Sequence, residues 1–232
     1  MKIGILQTGH SPDTLRNTLG DYEHLFHKLL GSGDFEFETF NVVDMEFPSS
    51  VNDCDGWLLT GSRHGAYEDH PFIPPLEAFI RDAYAAHVPM VGICFGHQII
   101  AQALGGKVEK FQGGWVVGRQ TYDLDGQKVA LNAWHQDQVV VRPQGATVVA
   151  SNEMCENAAL VYDDRIFTVQ AHPEFRSDYI EGLATTRGPG VVPDPLLERA
   201  LNNLDKPTDN DLLARRITDF FKTKASSHER LD

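Results

Sequence analysis

Apolar residues recur along the chain in two rhythms, and the change between them organises everything else. Lys2 to Leu6 is a short apolar run that predicts a buried first strand. Ser11-Pro12-Asp13 then offers capping chemistry for one helix with Leu15, Leu19, Tyr22, Phe26, Leu29 and Leu30 on its apolar face, closed by Gly31 and Gly33. Phe35 to Val43 alternates as a strand, and Gly56 to Thr60 (GWLLT) is a short buried one. A long loop, GSRHGAYEDHPFIPP, begins at its carboxyl end, where loops commonly carry function. Pro74 and Pro75 open a helix with Leu76, Phe79, Ile80, Ala83 and Tyr84 on one face. His87 leads into a strand that ends at Cys94, and helical spacing resumes directly afterwards.

From about Val108 to Tyr162 the period shortens to alternating runs (WVVGRQTYDL, KVALNAW, QVVVRP, ATVVAS, AALVYD) parted by turn residues such as Asp125-Gly126. That pattern predicts antiparallel strands. Arg165 to Gln170 is a last core strand, which delivers His172 to the crevice holding Cys94 if the sheet is parallel there. A Gly- and Pro-rich loop, RGPGVVPDP, separates two helical stretches, and the final one carries Leu212, Leu213, Arg216, Ile217, Phe220 and Phe221 as an amphipathic face. The last several residues are expected to fray. The fold class is α/β, with a mostly parallel central sheet and a smaller antiparallel one. A chain of 232 residues fits one domain better than two, with a core over 1–185 and a C-terminal helical extension over 186–232.

Composition narrows the classes. A formal charge of -13 with no basic stripe argues against nucleic-acid binding, which draws on clustered Lys and Arg. The apolar runs are strand-sized, short of the roughly 20 residues of a membrane helix, and MKIGILQTGH lacks the layout of a signal peptide. A cytoplasmic protein is expected. Cys54, Cys94 and Cys155 show neither disulfide nor metal-ligand spacing, and the ten histidines form no matching ligand pairs, so neither a metal nor another cofactor is expected.

The chemistry concentrates at two strand ends. In VPMVGICFGHQIIAQALGG, Gly92 and Gly96 flank Cys94, the layout of a nucleophile on a tight strand-to-helix turn facing the positive end of a helix. A free thiol has a pKa of about 8.5, so it needs a helix terminus or an imidazole to ionise at neutral pH. IFTVQAHPEF ends in His172 and Glu174, a base and a carboxylate to orient it. The amide of Phe95 is a natural oxyanion donor, and the turn at Gly61 could supply a second. Each feature has a duller reading: a buried small hydrophobe for Cys94, a surface turn for His-Pro-Glu, ordinary loop polarity for His135 and Asp137.

At these residues the sequence resembles the class I glutamine amidotransferases, whose glutaminase module has a flavodoxin-like, three-layer fold. GICFGHQIIAQALGG matches the family's nucleophile segment and VQAHPE its histidine and glutamate segment. LTGS (59 to 62) is similar to its oxyanion loop, and WHQDQV stands in place of a Ser-His-Gly-Asp-like loop. The resemblance covers residues 1 to about 180 and implies Cys94 as nucleophile, His172 as base, Glu174 as its orienter, and Gly61 and Phe95 as oxyanion amides. It also implies substrate contacts from Gln98, from Ser62 and Arg63, and from His135, Gln136 and Asp137. Where many relatives have Gly-Gly-Pro, this chain has Gly61-Ser62-Arg63, and Gln136 replaces the usual glycine.

The implied reaction is hydrolysis of a γ-glutamyl amide, glutamine to glutamate and ammonia, through a cysteine thioester. The close alternative is a γ-glutamyl peptidase acting on glutathione-type peptides, as in the stand-alone branch of the family. An alternative of another class is a catalytically silent binding module; the presence of all three residues weighs against it. A related peptidase or chaperone-like branch expects histidine directly after the cysteine, where this chain has Phe95. No ATP-binding or acceptor domain is expected to follow, so the partners implied are a small γ-glutamyl substrate and a separate synthetase or acceptor protein.

Overall fold

The computed structural model describes residues 1–31 and 34–228, with the side chains of 224–228 left aside; Gly33 and the chain end at 229–232 lie outside the described residues. The first strand, β1 (Lys2–Leu6), lies between β2 (Glu36–Phe40) and β3 (Gly56–Leu59), and β3 pairs with β4 (Met90–Ile93). Beyond β4 comes β11 (Ile166–Val169), also parallel, so five strands run in the order β2-β1-β3-β4-β11. This is the flavodoxin-like order, with the carboxyl ends of all five strands along one edge.

Strand periodicity builds two apolar faces. Trp57, Leu59 and Met90 join one core with Leu76, Phe79 and Ile80 of α3 (Ile73–Ala85) and Ile99 and Ile100 of α4 (Phe95–Ala103). Ile3, Ile5, Leu58, Val91 and Ile93 point the other way, onto Phe26, Leu29 and Leu30 of α2 (Tyr22–Leu30) and Leu213, Ile217 and Phe221 of α7 (Asn210–His228). Helices on both sheet faces make the three layers, because strands apolar on both sides must be covered on both.

The antiparallel strands divide between two sheets. The strands β10 (Cys155–Tyr162), β9 (Ala146–Asn152), β6 (Val116–Leu124) and β7 (Gln127–His135) extend the main sheet from β11, making nine strands among the described residues. Among the described residues only β5 (Lys107–Lys110) and β8 (Asp137–Val141) form the small separate sheet. The α/β class expected from the pattern, a central sheet with a smaller antiparallel one beside it, is the class found; the central sheet is mixed, since four antiparallel strands join its five parallel ones.

Local differences have local causes. The single helix expected from Leu15 to Leu30 is two, α1 (Asp13–Leu19) and α2, because Gly20 adopts φ +91° and Asp21 starts a new helix. Asp21 caps α2 by accepting the Tyr22 N–H. Ser11 does not cap α1; its hydroxyl meets Tyr179 on α5 (Ser177–Thr186). The strand expected through Val43 stops at Phe40, and Val42–Asp44 turns into a 3-10 helix. The helical stretch after RGPGVVPDP is two helices, α6 (Asp194–Leu201) and α7, parted before Pro207. Among the described residues no helix is long and apolar enough to cross a membrane.

Candidate active site

Cys94 stands between β4 and α4 with φ 52° and ψ -101°, as the residue that starts the helix. A non-glycine residue in that region carries strain of order 1–3 kcal/mol, so the surrounding packing must impose it. The neighbouring glycines permit that packing. A Cβ on Gly96 would collide with the Leu59 backbone, and one on Gly92 would lie 2.6 Å from the Gly96 carbonyl. The turn is pinned by the Cys94 N–H donating to the Val169 carbonyl at 2.8 Å and the Gly96 N–H to Thr60 at 3.1 Å. The Gly61 and Phe95 N–H groups have no acceptor among the described residues.

His172 arrives three residues beyond β11. Its N–H donates to the Asn132 carbonyl of β7 at 2.8 Å, which aligns the backbone before the turn at Pro173. The ring is buried and its Nδ1 lies 2.6 Å from Oε1 of the equally buried Glu174. Phe175 stacks flat on the imidazole, with ring centroids 3.9 Å apart and planes within 3°. Tyr179 backs Phe175 in turn at 4.1 Å.

The two strand ends meet at Gly61. A Cβ placed there would lie 3.0 Å from Cε1 of His172 and 3.9 Å from Cβ of Cys94, so only a bare glycine leaves the imidazole its position. Burial works against a charge on His172, yet the Cys94 sulfur and the Glu174 carboxylate together outweigh it and hold the ring's pKa above its ordinary value. A strained thiol at a helix start, a buried imidazole and a carboxylate behind it are the parts that covalent acyl transfer requires.

The other residues singled out from sequence fall into two groups. Gln98 is buried, and its Nε2 donates to the Asp137 carbonyl at 2.9 Å and to Oε1 of Gln170 at 3.2 Å. His135 is buried with Nδ1 3.2 Å from the Asp137 carbonyl; burial, and then the nearby His172, push its pKa down to about 3. Gln136 accepts from the Phe111 N–H through its backbone. The Asp137 carboxylate accepts from the Tyr67 hydroxyl at 3.2 Å, tying the start of β8 to the loop after β3. Ser62 is half-buried and its hydroxyl accepts the His64 N–H, whereas Arg63 is exposed.

Three supporting residues escaped the sequence reading. Gln170 donates to the Cys94 sulfur at 3.6 Å. The Asn132 side-chain amide donates to the Phe175 carbonyl at 3.0 Å, and that of Asn210, the fully buried first residue of α7, to the carbonyls of Pro173 and Phe175 at 2.5 and 3.0 Å. Position in VQAHPE could have flagged Gln170, but no local signal ties Asn132 or Asn210 to the histidine turn.

Comparison with known proteins places this arrangement. The family described as glutamine amidotransferase class-I matches residues 22–181. A glutamine amidotransferase-like protein of Schizosaccharomyces pombe is 31% identical over 94% of this chain and 97% of its own length. Gamma-glutamyl peptidase 4 of Arabidopsis thaliana is 32% identical over 73% of this chain and 75% of its own. A subunit of the glutamine-hydrolyzing GMP synthase of Sulfolobus acidocaldarius is 42% identical over 76% of this chain and 90% of its own. The crystal structure of a glutamine amido transferase from Methylobacillus flagellatus shares the fold, with a TM-score of 0.75 at 23% identity over 97% of this chain and 92% of that one.

Proposed function

Because the chain belongs to the class-I glutamine amidotransferase family, we propose that it hydrolyses a γ-glutamyl amide, with glutamine as the default substrate, through a thioester on Cys94. The observation that carries this reading is the close approach of Cys94 and His172 at Gly61, with Glu174 2.6 Å behind the ring. The Cys94 thiolate attacks the side-chain carbonyl carbon, and the carbonyl electron pair moves to oxygen, where the Gly61 and Phe95 N–H groups receive it. As the tetrahedral intermediate collapses, the carbon–nitrogen bond breaks and His172 protonates the departing nitrogen, releasing ammonia or an amine. Water then attacks the thioester, His172 takes its proton, and glutamate leaves as the thiolate reforms. Glu174 keeps the imidazole in one orientation and stabilises its charged form.

In this reading the polar groups around Gln98, His135, Gln136 and Asp137 line the γ-glutamyl end, with Ser62 and Arg63 on the loop that faces the leaving group. The C-terminal helices belong to the same functional unit, since Asn210 of α7 holds the turn that carries His172. A γ-glutamyl peptide is the second substrate class, favoured by the similarity to the Arabidopsis peptidase and by the exposed side chain of Arg63. The GMP synthase relative supports a separate synthetase partner that would take up the ammonia. Trapping with an electrophilic glutamine analogue, followed by mass mapping, is expected to label Cys94. Glutamate release from glutamine and from γ-glutamyl dipeptides, compared side by side, decides the substrate. Activity undiminished in Cys94→Ser would overturn the reading.

A further inference from the structure

The loop after β3 also gathers three metal-type ligands that the proposed hydrolysis does not use. His64, Glu68 and His70 place one donor atom each within 4.8 Å of the others. Nε2 of His70 lies 2.8 Å from Oε2 of Glu68, and Nδ1 of His64 lies 3.9 Å from the same oxygen. In a tetrahedral zinc site, with bonds of about 2.0–2.2 Å, neighbouring ligand atoms stand about 3.3 Å apart. Those two separations fall on either side of that value, and the third lies within 4.8 Å.

The loop is already shaped for it. Glu68 N–H donates to Gly65, His70 N–H to Glu68 and Ile73 N–H to His70, a chain of turns that folds the three ligands onto one side. Gln102 of α4 holds the Ala66 carbonyl at 2.7 Å. The two imidazoles sit with centroids 4.1 Å apart, each near the buried Phe72 ring. Arg63 is exposed to solvent, where water and salt screen its charge from a bound cation.

We propose that His64, Glu68 and His70 form a binding site for a first-row divalent transition ion, zinc foremost, with two imidazoles and one carboxylate as ligands and the remaining position open to water. The donor set is of the nitrogen and oxygen type that zinc accepts, and the side chains are 19%, 47% and 30% exposed, which leaves an entry path. Phe72, which underlies both imidazoles, also packs against Phe95, the residue after Cys94, at 6.1 Å. An ion here would clamp the loop that begins at Gly61.

The test uses zinc chloride and the full chain carrying Cys94→Ser, so that the catalytic thiol contributes no ligand. Calorimetric titration is expected to show one equivalent of zinc per chain. Affinity should fall at least about 10-fold in His64→Asn/His70→Asn and again in Glu68→Gln, both with the parent's near-ultraviolet dichroism. Cobalt(II) should report the same site by its visible spectrum. Absence of saturable zinc binding, or equal affinity in the parent and in Glu68→Gln, would overturn the proposal; Glu68→Gln decides the matter should the double variant lose its fold.

Discussion

The turn that carries Cys94 and the turn that carries His172 are built on opposite principles. The Cys94 turn is made almost wholly from its own stretch of chain: β4, two glycines and the start of α4, closed against β3 and β11 by two backbone hydrogen bonds. The His172 turn is short, and the next helix, α5, begins only at Ser177. It is held from outside by Asn132 of β7 and by Asn210 of α7, and from its own stretch of chain by the stack of Phe175 on Tyr179. A strained backbone can be imposed locally, whereas a buried charged pair needs partners from several elements to offset its desolvation. The sulfur's place is therefore expected to tolerate distant change better than the imidazole's.

The largest effect should come from Cys94→Ala. Turnover is expected to fall at least about 10³-fold while near-ultraviolet dichroism stays that of the parent, because the group removed is small and the loss is chemical. Glu174→Gln follows, with kcat lowered about 10² to 10⁴-fold and a KM that changes little. This substitution also tests the proton bookkeeping at His172. The folded pKa of His172 is raised, so its stabilising contribution is fully present below the ordinary value of 6.5 and is lost as pH rises through the folded value. Glu174→Gln weakens that contribution, and its stability should depend less on pH in the alkaline range.

Asn210→Ala sharpens the contrast between the two turns. It removes both amide bonds to the histidine turn from a residue far from the chemistry, and should destabilise by about 1–3 kcal/mol and lower kcat about 10-fold. Labelling of Cys94 by a simple alkylating agent should change far less, since its own turn is untouched. Equal losses in both readouts would show that the two turns are not held independently.

The smallest effect at neutral pH lies in two buried histidines that flank the site. His97, bonded to Thr168 at 2.8 Å, and His135 both have pKa values pushed by burial down to about 3. The folded state keeps them neutral while the unfolded chain takes up protons below 6.5. Stability should therefore fall as pH drops from 6.5 toward 3, by up to about 1.4 kcal/mol per pH unit for each. Urea midpoints between pH 7 and 5 measure the slope, and His97→Asn should reduce it by one proton's share. An unchanged slope would mean that His97 is not held neutral.

Periodicity and glycine placement are local properties, which is why β1, β3, α3 and the Cys94 turn could be read from the order of residues alone. The identity of GICFGHQIIAQALGG and VQAHPE likewise pointed to the family before any coordinates. Periodicity does not separate options that the chain meets at a single residue: Gly20 breaks a helix whose apolar rhythm continues across the break, and Ser11 bonds to Tyr179 rather than capping α1. Only the tertiary structure determined which antiparallel strands extend the main sheet, since alternation sets a strand's faces but not its neighbours. It alone brought Asn132 and Asn210 to the histidine turn and His64, Glu68 and His70 to one another. Spacing along the chain records what a residue's own backbone can do; which distant side chain satisfies a buried polar group is settled by packing of the whole molecule.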